Sequence, residues 1–226
     1  MPQSDLLTLL AQRRSVRAFT DAPIERAALE RICQAARLAP SGANLQPGRF
    51  HVLTGAALAG LTAGLMEAVE RGAPVEAEYS YFPATMSPAL KDKQRKAGFA
   101  LYEALGIGRR DLDARRAQFA RNYRFFDAPV GIVVTIDRDM GKGCFMDLGM
   151  ALMALFLAAE DAGLGATGIG ALANYASVAH RQLELPEGEM VVCGIAIGHV
   201  DRNAAVNQFR TERDPLTDFT TFRGFD

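Results

Sequence analysis

Three arginines and a serine fall within five consecutive positions, Arg13-Arg14-Ser15-Val16-Arg17, followed by Ala18-Phe19. Guanidinium forks and a hydroxyl are the natural partners of a phosphate, because they offer fixed positive charge and matched donors. The run is too short and mixed for a nucleic-acid tail and too charged for a core strand. It reads as an anion-binding hook for a phosphorylated cofactor. Little else in the chain could do chemistry alone. His51, His180 and His199 share no metal-ligand spacing, so no metal is expected. No GxSxG occurs, and Asp111 and Asp113 sit among arginines as a solvated helix face. If this chain catalyses a reaction, a cofactor carries it.

A second stretch, Gly163-Leu164-Gly165-Ala166-Thr167-Gly168-Ile169-Gly170, literally contains GxGxxG. A dinucleotide fingerprint needs a strand before it and a helix directly after. Here a long helix precedes it and residues 164–169 look strand-like. Gly163 suits the left-handed cap of that helix. The other glycines let the backbone approach something flat and close. A third stretch, Glu78-Tyr79-Ser80-Tyr81-Phe82-Pro83, lies in an irregular segment from 72 to about 88. Such segments often form lids. Its aromatics suit stacking on a planar ligand and a dimer interface equally.

The elements that must position these residues follow from periodicity. Ser4-Asp5 caps a helix to about Arg13. Further helices span 25–38, 56–71, 89–105, 109–122, 144–162 and 177–183. Strands are expected at 50–53, 129–136 and 190–197. A proline- and glycine-rich loop fills 39–48. The last 28 residues are polar, but Phe209, Phe219, Phe222 and Phe225 argue that this tail docks on a partner. No repeat or linker appears, so residues 1–226 read as one domain.

Bulk properties set the class. The 226 residues are 49% hydrophobic and 23% charged with a net charge of −1, which fits a soluble globular protein and implies no general affinity for nucleic acid or membrane. Cys33, Cys144 and Cys193 have no CxxC spacing, which suits a reducing compartment. Asp5 and the lack of an apolar N-terminal core speak against a signal peptide, and a cytoplasmic location is expected.

In this order the motifs resemble the nitroreductase family of FMN flavoproteins. The hook resembles its first motif. Ala39-Pro40-Ser41-Gly42-Ala43-Asn44-Leu45-Gln46-Pro47 resembles the second, and the 146–162 helix running into the glycine-dense stretch the third. Leu185-Pro186-Glu187-Gly188-Glu189-Met190-Val191-Val192 with the strand ending in Gly198, and Arg213-Asp214-Pro215-Leu216, are similar to the last two. Within the family, the middle region looks most like bacterial nitrobenzene and nitrobenzoate reductases. One departure is Gly48, where the family usually has Trp.

The resemblance implies an α+β fold, with a central mixed β-sheet flanked by helices. It also implies an intertwined homodimer, with the tail of about 199–226 exchanged onto the partner and a lid at about 72–126. FMN would be bound and NAD(P)H exchangeable. Arg13 and Arg213 would hold the phosphate with Ser15 donating to it and Arg210 in reserve; Arg14 is the weakest of the cofactor-binding set and could simply face solvent. Arg17 would lie beside flavin N1 and O2, favouring the reduced ring. Pro40, Ser41 and Asn44 would reach the ring from the other subunit. Gly168 and Gly170 would line its opposite face, with the Gly170 N–H near N5, so Arg17 and Gly170 are the catalytic candidates. Tyr79, Tyr81, Phe82, Tyr123 and Phe125 would line a channel for a small planar aromatic substrate. The implied reaction is ping-pong reduction of a nitroarene through nitroso to hydroxylamine. Alternatives are reductive dehalogenation or alkene reduction, with Glu78, Tyr81 and Lys91 holding the substrate, or flavin binding without turnover.

Overall fold

The computed structural model describes residues 6–225. The Ser4-Asp5 cap lies outside the described residues. Four strands form one sheet in the order β1 (Arg49–Thr54), β2 (Val130–Asp137), β4 (Glu189–Gly198), β3 (Gly165–Ile169), and every pairing is antiparallel. The expected mixed sheet is therefore corrected. Parallel pairing among the described residues is confined to the isolated bridge from Ser15 to Ala166, where the hook lies along β3.

Apolar residues sit on both sides of β2, which explains its unbroken apolar run. Ile132, Val134 and Ile136 join a core with α2 (Arg26–Arg37) and α6 (Lys142–Asp161). Val133 joins the opposite core, with α3 (Gly55–Glu70) and α7 (Ala176–Leu183). The period-2 alternation of a strand distributes the residues in this way. Helices α1 (Leu6–Gln12), α4 (Pro88–Ala104) and α5 (Leu112–Ala120) complete the chain and bury far less; α1 and α4 contribute no buried residue.

The 109–122 helix is shorter than its pattern suggests. Asp111 caps α5 by accepting from Ala114 N–H at 3.0 Å, and after Ala120 the chain tightens into a 3-10 turn. There Phe125, Phe126 and Asp127 all adopt left-handed φ of 49°, 53° and 61°. This conformation is costly for residues with a side chain. It drives the Phe125 ring into the sheet, where a Cβ at Gly131 would sit 2.9 Å from Phe125 Cδ1 and one at Gly194 3.1 Å from its Cε1.

Gly48, the departure from the family pattern, has its own physical reason. It is buried with φ of 91°, and a Cβ there would stand 2.6 Å from Leu148 Cδ1. Gly48→Ala is expected to cost about 2 kcal/mol from overpacking and backbone strain. The thermal midpoint should fall by roughly 4–8 °C in a melting experiment.

Candidate functional site

The hook leaves α1 in an extended conformation and docks on the edge of the sheet. Val16 N–H donates to the Ala166 carbonyl at 3.2 Å, and Phe19 bridges Val200. Gly165 makes this approach possible, since a Cβ there would meet Val16 Cγ2 at 2.7 Å. Extended backbone alternates its side chains. Val16 turns into the core at 1% exposure, and Arg13, Ser15 and Arg17 turn together into a cleft of about 420 Å3. Arg213 enters the same cleft from the tail, and Leu10, Met153 and Phe209 supply apolar wall.

The cleft is electrostatically unbalanced. Burial lowers the Arg13 pKa, and the neighbouring charges of Arg213 and Arg210 lower it further against the pull of Glu160. Burial also lowers that of Arg17, whose guanidinium lies 6.0 Å from the Phe126 ring centre. Among the described residues, no carboxylate forms an ion pair with Arg13, Arg17 or Arg213. Packing guanidinium ions together without a directly paired counter-charge costs energy, and a dianionic phosphate would relieve it. This donor set fits the phosphate of FMN.

Arg14 lines the same cleft but has a second partner. As an even-numbered member of the extended run it turns the other way, and its Nη1 donates to the Asn207 carbonyl at 2.5 Å. Arg14 touches the cleft wall, but its side chain is committed to holding the tail. Arg210 likewise donates to the Ala11 and Gln12 carbonyls at the end of α1, so the reserve candidate has a structural task. Arg213 folds back on Thr211 and Glu212.

Asn207 was not legible in the sequence and proves central. It is 3% exposed, and its side chain is fully used. Its Oδ1 accepts from Arg17 N–H at 2.9 Å, and its Nδ2 donates to the Ala18 and Asp201 carbonyls, each at 2.8 Å. One side chain thus ties the tail to the backbone of the hook and sets where Arg17 starts.

Pro40, Ser41 and Asn44 lie elsewhere on the chain. Ser41 Oγ accepts from Gln46 N–H at 2.9 Å, and Gly42 N–H donates to Asp147 of α6 at 3.0 Å. Ala43, Asn44 and Gln46 hold positive φ, so the loop is strained and must be clamped. Arg37 is the clamp, donating to the carbonyls of Gln46, Pro47 and Gly48. Proline and glycine content marked the loop; the clamp carried no local signal.

Gly168 is exposed in β3, and Gly170 follows it under the Tyr81 ring, whose Cε2 would stand 3.2 Å from a Cβ at Gly170. Tyr81 and Phe82 are exposed and meet edge-on, their ring centres 4.9 Å apart. Tyr79 is half-buried, donates to the Val192 carbonyl at 2.7 Å, and burial pushes its phenol up to about 12. Tyr123 and Phe125 are corrected: at 3% and 0% exposure they are core rings, because the left-handed turn aims Phe125 into the sheet and Tyr123 packs on Tyr175. Glu78 is also engaged, with Arg138 and Val191, and is not free to hold a substrate.

An antiparallel sheet between two helical layers, edged by an arginine hook, is the frame the resemblance implied, and comparison with known proteins makes the assignment. The chain belongs to the nitroreductase family, whose model matches residues 10–199. It is 37% identical over 225 residues to a chloronitrobenzene nitroreductase of Comamonas testosteroni, covering 98% of this chain and 99% of the relative. A 4-nitrobenzoate reductase of Pseudomonas putida is 36% identical, covering 98% and 97%. Among solved structures, the FMN and NADPH-dependent nitroreductase NfnB from sphigopyxis sp. strain HMH superposes with a TM-score of 0.96 at 36% identity, over 98% of this chain and all of that one.

Proposed function

We propose that this protein is an NAD(P)H-dependent FMN nitroreductase that reduces nitroaromatic compounds of the nitrobenzene and nitrobenzoate type. The observation that carries this reading is the cationic cleft of Arg13, Ser15, Arg17 and Arg213, whose arginines form no ion pair with a carboxylate among the described residues. The relatives named for nitroarene reduction, matched along nearly their whole length, support the substrate class.

FMN, when bound, supplies the transfer of electron pairs from the nicotinamide to the acceptor. The chain's own residues bind and orient. Arg13 and Arg213 would grip the phosphate, with Ser15 donating to it. Arg17, shielded from water, would place its charge against the pyrimidine edge of the ring, where reduction accumulates electron density. Gly168 and Gly170 would lie against the ring because no side chain intervenes. Tyr81 and Phe82 would form the wall on which a planar acceptor stacks. Each two-electron step consumes two protons, converting nitroarene to nitroso compound and water, then nitroso compound to hydroxylamine.

The site is incomplete in one chain, because Pro40, Ser41 and Asn44 do not line the cleft of the hook. A homodimer would complete it. β1 is an edge strand, and beside it α2 leaves a groove of about 750 Å3 with Leu29, Phe50 and Val52 on its wall. An unpaired edge beside an apolar groove is a template for an added segment. The tail provides one, with Phe219, Phe222 and Phe225 exposed at 69%, 64% and 80%. Sedimentation of the whole protein should give the dimer mass; a monomer that retains FMN would remove the shared site.

The function itself is tested by anaerobic turnover. With NADPH and 4-nitrobenzoate, the purified protein is expected to form the hydroxylamine. Turnover of a halophenol in its place would move the assignment to dehalogenation.

A further inference from the structure

The lid segment is fastened at a place where the sheet has lost its own partner. β3 stops pairing with β4 at Gly194, and a bulge opposite Val134 and Thr135 leaves Val192 without a partner on β2. Beyond Gly194, β4 therefore presents backbone groups that no strand satisfies. Lid side chains take them. Glu78 Oε2 accepts from Val191 N–H at 2.7 Å, and the Tyr79 hydroxyl donates to the Val192 carbonyl at 2.7 Å. The other Glu78 oxygen pairs with Arg138 and lies 3.4 Å from His180 Nε2. Arg138 is braced in turn, its Nε donating to the Glu187 carbonyl at 2.6 Å. Just upstream, Glu76 N–H donates to the Asn174 carbonyl at 2.9 Å.

Burial opposes the charge on Glu78, yet Val191 N–H, Arg138 and His180 outweigh it and hold the carboxyl below its usual range. Its side chain is only 14% exposed. Three residues later comes Tyr81, exposed at 67% but with its ring lying on Gly170. A ring so open has little packing of its own to fix it. Its place over Gly170 is inherited from the fastened backbone before it.

We propose that Glu78 is a positioning residue: its clasp on Val191 and Arg138 holds the Tyr81 ring over Gly170 and so sets the dimensions of the acceptor site. This rests on the reading that Gly170 borders the flavin. The clasp differs from a general structural contact because it acts through one ring, and disturbing it should act through that ring too.

Hydrogen exchange on the whole dimeric protein tests the clasp without reference to activity. In Glu78→Ala, the amide of Glu76, bonded to the Asn174 carbonyl, and that of Val191, which loses its acceptor, are expected to exchange at least about tenfold faster, with residues 13–17 and β2 unchanged. Unchanged exchange at Glu76 and Val191 would overturn the proposal, as would a loss of protection spread through the sheet. In turnover, Glu78→Ala should raise KM for 4-nitrobenzoate about tenfold with kcat within about twofold. Tyr81→Ala should do the same, and the double variant should be no worse than either. Additive effects would overturn the proposal. Should Glu78→Ala fail to fold, Glu78→Gln keeps an acceptor for Val191 and loses the ion pair, and a smaller acceleration in the same residues is expected. A wild-type protein that turns over no nitroarene would sink the nitroreductase reading, and the exchange result would still decide the clasp.

Discussion

Arg17→Ala is expected to slow anaerobic reduction of the bound flavin by NADPH about 10²-fold while loosening FMN far less, because the lost interaction is one that strengthens as charge develops. The expectation follows from position. Arg17 is drawn away from water, lowered in pKa by burial, and paired with no carboxylate among the described residues. Its Nη1 makes one long contact of 3.4 Å, to the Ser15 carbonyl, so its charge remains available to a ligand. Arg13→Ala should show the opposite pattern, a weakened FMN complex with near-normal reduction when saturated. Stopped-flow reduction and FMN titration separate the two. If Arg17→Ala were reduced at the wild-type rate with flavin bound, Arg17 would have no redox role.

Asn207→Leu is expected to be the most damaging single change outside the cleft. A leucine of similar volume would leave Arg17 N–H and the Asp201 carbonyl without a partner, and the Ala18 carbonyl with Asp201 N–H alone at 3.2 Å. Each of the two orphans costs about 1–3 kcal/mol, for a sum of about 3 kcal/mol with partial hydration. The thermal midpoint should fall by roughly 6–12 °C, and FMN affinity should fall with it, because the hook and the tail arginine lose their common anchor. Asn207→Asp keeps the acceptor for Arg17 N–H but loses both donors, and should fall between. Melting curves with and without FMN read both effects. An Asn207→Leu protein with wild-type stability and flavin affinity would mean that the hook is placed by its pairing with β3 alone.

What the sequence made legible was local. The hook was recognisable because four polar side chains share five positions, and extended backbone turns Arg13, Ser15 and Arg17 to one side. Gly163 was readable as a helix cap and has φ of 73°. The GxGxxG match was rejected because α6 precedes it and β3 follows, as the structure has it. What stayed hidden was long-range or strained. Asn207 meets the hook across 190 residues, and Arg37 and Glu78 act on backbone groups that no pattern announces. A single Asn after Ala204-Ala205-Val206 was the only hint of a buried polar clasp. Phe125 was misplaced because three successive left-handed residues with side chains contradict local preference. Its location explains Gly131 and Gly194, which could have pointed to it: glycines inside apolar strands mark a close neighbour. The expected mixed sheet failed for a related reason, since strand direction depends on how elements return and not on strand composition.

The division of the hook between the phosphate and the ring is tested most directly by a crystal structure of the protein with FMN. The phosphate should lie within hydrogen-bonding distance of Arg13 and Arg213, with the pyrimidine edge of the ring facing Arg17. A phosphate seated against residues 163–168, with the cleft of Arg13, Ser15 and Arg213 left to solvent, would contradict it.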